Sequence, residues 1–127
     1  MVSTVDAVIK ELNEVRFGFV EASYSNVLRD TYLRTVTDVT SIIQKNGRVL
    51  EIGAFTGVVS LTLIRLGYDV TAHDIPLVIM DKEMQTLLHV NKVSTACFNL
   101  QDYPYNIPDA AFDGMAHSSI NSKKYLI

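Results

Sequence analysis

The chain has 127 residues, 48% of them apolar and 20% charged, with a formal charge of −3. That length fits one domain able to bury a core, and the interspersed, slightly acidic charge lacks the basic face of a nucleic-acid binder. The single cysteine, Cys97, excludes an intrachain disulfide and a cysteine zinc site.

No apolar run approaches the roughly 20 residues of a membrane span, and the N-terminus carries no signal-peptide core. A soluble, cytoplasmic protein is the expectation. It comprises a single domain over 1–127, with N-terminal helices at 1–46, an alternating core at 47–117 and a tail at 118–127.

Val5, Val8, Ile9, Leu12 and Val15 recur at helical spacing, with Ser3 as the expected cap. Phe17-Gly18-Phe19 breaks that helix, because glycine is a poor helix former. A second helix is expected over 21–45, with a break near Asp30 or Thr35, where threonines weaken it. Asn46-Gly47 ends it, since both tolerate the left-handed conformation.

From Arg48 onward the pattern alternates. Strands are expected over 48–52, 69–72, 93–98 and 112–116. Helices are expected over 58–66 and 77–91, and a Pro-containing loop over 101–111. Such alternation implies right-handed βαβ units. The fold class is therefore α/β, a Rossmann-like, doubly wound, mainly parallel sheet preceded by two helices.

The strongest chemical signal is the run from Val49 to Gly57, a buried strand entering a glycine-bounded turn and then a helix. Gly53 lets the chain turn sharply and a ligand approach the backbone, and Gly57 does the same at the helix start. N–H groups left open there suit a polar or anionic ligand. The same residues also fit an ordinary strand-to-helix turn. Asp74 ends the next strand, 17 positions after Gly57. It fits an acidic residue accepting from two ribose hydroxyls, the reading favoured beside the glycine loop, or a turn aspartate before Ile75-Pro76. Asp102 follows the third strand in a loop beside Pro104. Phe19 and Tyr24 lie where they could cover a ligand or simply join the core. Cys97 is expected to be a buried strand residue. His73 and His89 lack metal-ligand spacing, so no metal site is expected.

Together these features resemble the class I, Rossmann-like S-adenosylmethionine-dependent methyltransferases. The resemblance covers Arg48 to His117, about half the chain. The family's E/D-x-G-x-G-x-G loop reads here Glu51-Ile52-Gly53-Ala54-Phe55-Thr56-Gly57, with Phe55 where the middle glycine often stands. The segment from Pro104 to Gly114 looks like the family's "lPFpdasFD" approach to the fourth strand. The resemblance implies S-adenosylmethionine as cofactor. Glu51 and the Gly53–Gly57 loop, including Ala54, would face its methionine part. Asp74 would hold the ribose, Ile75 would pack on the adenine, and Asp102 with the Tyr103 amide would bind the adenine amino group. His117, just past the fourth strand, could act as a catalytic base, but a solvated strand-end histidine is the favoured reading, so the catalytic residue stays unassigned.

The chain departs from the family by stopping after the fourth strand, which looks like a truncation. Methyl transfer to a small-molecule substrate is the expected function. The alternative is a catalytically inactive or truncated S-adenosylmethionine-binding or assembly module. A nicotinamide enzyme is disfavoured because G-x-G-x-x-G is missing. No membrane or nucleic-acid partner is expected. The outer edge of the fourth strand invites pairing, so either a homo-oligomer through that edge and the 118–127 tail or a chain poorly soluble alone is expected.

Overall fold

The computed structural model describes residues 1–20, 25–97 and 111–117. Of the expected 101–111 loop, residues 101–110, with Asp102 and Tyr103, lie outside them, as do Tyr24 and the 118–127 tail. The elements run α1 (Val2–Leu12), α2 (Arg29–Ile42), β1 (Arg48–Ile52), α3 (Val58–Arg65), β2 (Asp69–His73), α4 (Pro76–Ile79), α5 (Lys82–Val90), β3 (Ser94–Ala96) and β4 (Gly114–His117).

All strand pairs are parallel, and the sheet order is β3-β2-β1-β4. The chain steps from β1 to β2 to β3 in one direction, then returns to place β4 on the opposite side of β1. That reversal is the topological switch point of a doubly wound sheet. Ile52 is level with His73 and with His117, and His73 is level with Ala96. The C-terminal ends of all four strands therefore form one row. The loops after β1 and β2 leave from that row.

Alternation along the strands sorts the two sheet faces. Val49, Val70, Ala72 and Ala116 join the core shared with the helices. Glu51 shares their face, being level with Ala72 and Ala116. Leu50 and Ile52 point to the other face and are also buried. Successive right-handed crossovers in one direction put α3 and α5 on the same face. Helix α3 packs on β2 and against α1 and α2. Its residues from Val58 to Leu63 are all buried, as expected of a helix enclosed on several sides. Each fully buried Leu or Val there stabilises the fold by about 1.5–3 kcal/mol.

Ion pairs fasten the periphery. Arg29 grips Asp6 of α1 through two hydrogen bonds, at 2.7 and 3.0 Å. Arg65 of α3 reaches Glu11 at 2.7 Å. At the start of β4, Asp113 accepts from the Arg48 backbone N–H at 2.7 Å and from its guanidinium at 3.1 Å. The Asp113 N–H donates in turn to the Arg48 carbonyl at 2.7 Å. The Arg48 side-chain bond, then its backbone N–H, holds the Asp113 carboxyl below its ordinary range.

Several expected boundaries shift. Helix α1 starts at Val2 with no side-chain cap, so Ser3 sits inside the first turn; the N–H groups of Thr4 and Val5 bond to the Met1 carbonyl. It ends at Leu12, before the Phe-Gly-Phe break. Helix α2 begins only at Arg29 and ends at Ile42. Asn46, with φ of 70°, makes the turn into β1 rather than capping the helix.

The expected 77–91 helix is two helices. Pro76 opens a single turn, and Asp81 starts a new helix by accepting the Met84 N–H at 3.0 Å. Strand β3 is only Ser94–Ala96, and Cys97 beyond it is exposed, not buried. An edge strand this short has no outer neighbour among the described residues to cover the cysteine at its end.

Candidate functional site

The row of strand ends at the β1/β4 reversal is where open α/β sheets place ligands. The loop after β1 adopts positive φ at every second residue: Gly53 at 72°, Phe55 at 50° and Gly57 at 87°. Gly53 and Gly57 reach this region without steric cost. A β-carbon on Gly57 would lie 3.3 Å from Leu61 Cδ1 and 3.5 Å from Met84 Cε. The backbone there is pressed between α3 and α5.

Phe55 occupies the position where the middle glycine often stands, and it keeps a glycine-like conformation. A bulky residue with positive φ is strained and persists only where its surroundings hold it. Two contacts do so here. The Phe55 N–H donates to Asp74 Oδ2 at 2.8 Å, and the Phe55 ring meets the Phe19 ring edge-on, with centroids 5.5 Å apart.

The Ala54 N–H donates to the His73 carbonyl at 2.8 Å, which extends the β1–β2 ladder into the loop. The Gly57 N–H donates to the Ala54 carbonyl at 2.9 Å. The amides of Ala54, Phe55 and Gly57 are thus used within the protein. The expectation of open N–H groups concerns the start of α3, at Val58–Ser60, and these three amides do not bear on it. The turn is a closed clasp, and Asp74 is part of it.

Asp74 is half-buried at the end of β2. Its Oδ1 accepts the Ile75 N–H at 2.7 Å, and its Oδ2 accepts from Phe55. It is a turn aspartate by geometry. An ionised carboxylate has about four acceptor sites, so each oxygen retains capacity for a hydroxyl. Ile75 beside it is 54% exposed, an apolar surface next to the carboxylate.

Glu51 lies beneath the loop, fully buried, and the Ser60 hydroxyl of α3 donates to its Oε1 at 2.6 Å. Thr56, also buried, accepts a hydrogen bond from Ser25 at 3.0 Å. The structure therefore brings together Glu51, Gly53, Ala54, Phe55, Gly57, Asp74 and Ile75. His117 stands beside Ile52 in the row of strand ends.

The sequence reading missed Ser25, Ser60 and Asp81. Asp81 carried a legible signal, an aspartate three residues before Met84 at the start of an apolar-periodic run. Ser25 and Ser60 carried none, because their roles depend on partners elsewhere in the chain. Among the described residues no group of His, Cys, Asp and Glu could hold a metal ion, and no helix is long and apolar enough to cross a membrane.

No protein-family profile and no curated protein sequence matches the chain. Among solved structures it is similar to a cyclopropane-fatty-acyl-phospholipid synthase-like protein from Lactobacillus casei. The TM-score is 0.58 at 17% identity, over 92% of this chain and 46% of that one. It is also similar to a protein from Pyrococcus horikoshii described as a candidate RNA methyltransferase. There the TM-score is 0.48 at 18% identity, over 76% of this chain and 50% of that one. The chain spans about half the length of these structures. Sheet order and structural likeness together show a Rossmann-like, doubly wound α/β fold shared with the Lactobacillus casei protein.

Proposed function

We propose that the chain is the cofactor-binding part of an S-adenosylmethionine-dependent methyltransferase acting on a small molecule. One observation carries this reading: the Asp74 carboxylate, at the end of β2, is held against the glycine loop through the Phe55 amide. A carboxylate fixed at that place suits two vicinal ribose hydroxyls. The loop's glycines, Gly53 and Gly57, lack the G-x-G-x-x-G spacing of a dinucleotide-binding turn, which speaks against a nicotinamide cofactor.

In this reading Asp74 binds the ribose and Ile75 offers its exposed side chain to the adenine. Asp102 and Tyr103 would complete the adenine site. The Gly53–Gly57 turn lies against the methionine part, with Glu51 and Ser60 supporting it from below. Bound S-adenosylmethionine supplies an electrophilic sulfonium methyl group. The chain's part is to orient it towards an acceptor, and orientation alone contributes much of the rate in such transfers. His117, at the end of β4, is the candidate to take the acceptor's proton.

Calorimetry tests the cofactor assignment directly. S-adenosylhomocysteine and S-adenosylmethionine should bind, and NAD should not. Binding of NAD, or of none of the three, overturns the reading.

A further inference from the structure

The segment after α1 crosses to the cofactor loop and is fastened there. The Gly18 N–H donates to Asp81 Oδ1 at 2.7 Å. Asp81 Oδ2 meanwhile accepts the Met84 N–H and starts α5. One carboxylate thus caps a helix and holds a strand of chain 63 positions away. The fit is close, since a β-carbon on Gly18 would lie 2.6 Å from Asp81 Oδ1. Next along the chain, the Phe19 ring packs tilted against Phe17, with centroids 5.2 Å apart, and meets Phe55 at 5.5 Å. Ser25 then bonds to Thr56. Two consecutive residues of the glycine loop therefore each touch the N-terminal segment.

We propose that residues 17–20 form a strap across the Phe55 side of the glycine loop, and that Asp81 is its positioning residue. Asp81 latches the strap to α5, the strap holds Phe19 on Phe55, and Phe55 in its strained conformation presents its amide to Asp74. Asp81 therefore acts on the cofactor site through Gly18, Phe19 and Phe55. The effect on cofactor rests on the function proposed above; the latch itself does not.

Serine in place of Asp81 separates the two duties. Its hydroxyl still caps α5, since serine is a good N-cap, but it cannot also reach Gly18. In the full chain, Asp81→Ser should leave the thermal midpoint nearly unchanged. It should raise the rate of trypsin cleavage after the exposed Arg16 by roughly tenfold, as the open strap becomes more populated. Gly18→Ala, which pushes the carboxylate away, should do the same. The double variant should be no faster than either single one, because both break one contact. Unchanged cleavage in Asp81→Ser, or additive effects in the double variant, overturns the latch.

In parallel, S-adenosylhomocysteine should bind Asp81→Ser roughly tenfold more weakly and dissociate faster. Normal affinity together with faster cleavage would overturn the strap's link to the site. If S-adenosylhomocysteine fails to bind even the unaltered chain, the cofactor reading and the strap's link to it both fall, and cleavage alone judges the latch.

Discussion

Asp74 and Phe55 join two loops that leave adjacent strands. The carboxylate that ends β2 accepts the amide that follows β1, at 2.8 Å. The same carboxylate closes its own turn onto Ile75. Shape of the loop and chemistry of the site therefore depend on one side chain.

Asp74→Ala should weaken S-adenosylhomocysteine binding by about 1.5–3 kcal/mol, the worth of hydrogen bonds to a charged group. Asp74→Asn keeps the size but retains only one acceptor oxygen, so it should fall between. Calorimetry on the two variants measures both. Equal affinity in all three proteins would remove Asp74 from the ribose.

The two glycines of the loop should fail differently. Gly57→Ala places a β-carbon on a backbone with φ of 87° and against Leu61 and Met84. It should cost about 1–2 kcal/mol of stability through the left-handed backbone, read as a lower urea midpoint. Gly53→Val should abolish cofactor binding while most of the helical circular dichroism remains.

Asp113 gives a pH dependence. Its folded pKa lies below the ordinary 3.8, through Arg48. The unfolded chain therefore binds its proton first as pH falls. The Arg48–Asp113 contribution is present above about pH 4 and is lost as pH drops through the folded value. Asp113→Asn should be less stable near neutrality and should lose stability less steeply between about pH 5 and 3. Denaturation at a series of pH values shows whether the acid limb flattens.

Ser60→Ala should test the support beneath the loop. It removes a 2.6 Å donor from the buried Glu51. Taking a donor from a buried acceptor costs about 1–3 kcal/mol. The expected result is a lower thermal midpoint, with S-adenosylhomocysteine affinity falling by less than in Asp74→Ala.

The features legible in the sequence were local. Strand β1 falls on residues 48–52 as expected, because a β-branched run is bounded by Gly47 and Gly53. Helix α3 lies between Gly57 and Gly67 for a similar reason. Gly53, Gly57 and Asp74 could be picked out because strand, turn and helix succeed one another along the chain.

The misses are non-local or ambiguous. Met80, Met84, Leu87 and Leu88 keep helical spacing across the break at Asp81, so periodicity alone reads one helix where there are two. The start of α2 coincides with Arg29, whose hold on Asp6 of α1 no local pattern announces. The exposure of Cys97 comes from its place beyond an edge strand. The contacts of Asp81 with Gly18, and of Phe19 with Phe55, join distant residues that no spacing rule connects.

The position of β1 in the sheet has a consequence for folding. Its Arg48 lies opposite Asp69, only 21 positions on, across the β1–α3–β2 unit. On its other side the Arg48–Asp113 pair closes 65 residues. Long closures form late, because the chain entropy must be spent before the contacts reward it. The β1–α3–β2 unit should therefore nucleate, with β4 docking after the transition state. Asp113→Asn would then speed unfolding and leave the refolding rate nearly unaltered, whereas Leu61→Ala within α3 would slow refolding. Stopped-flow chevrons for these two variants would measure how early the central strand acquires each neighbour.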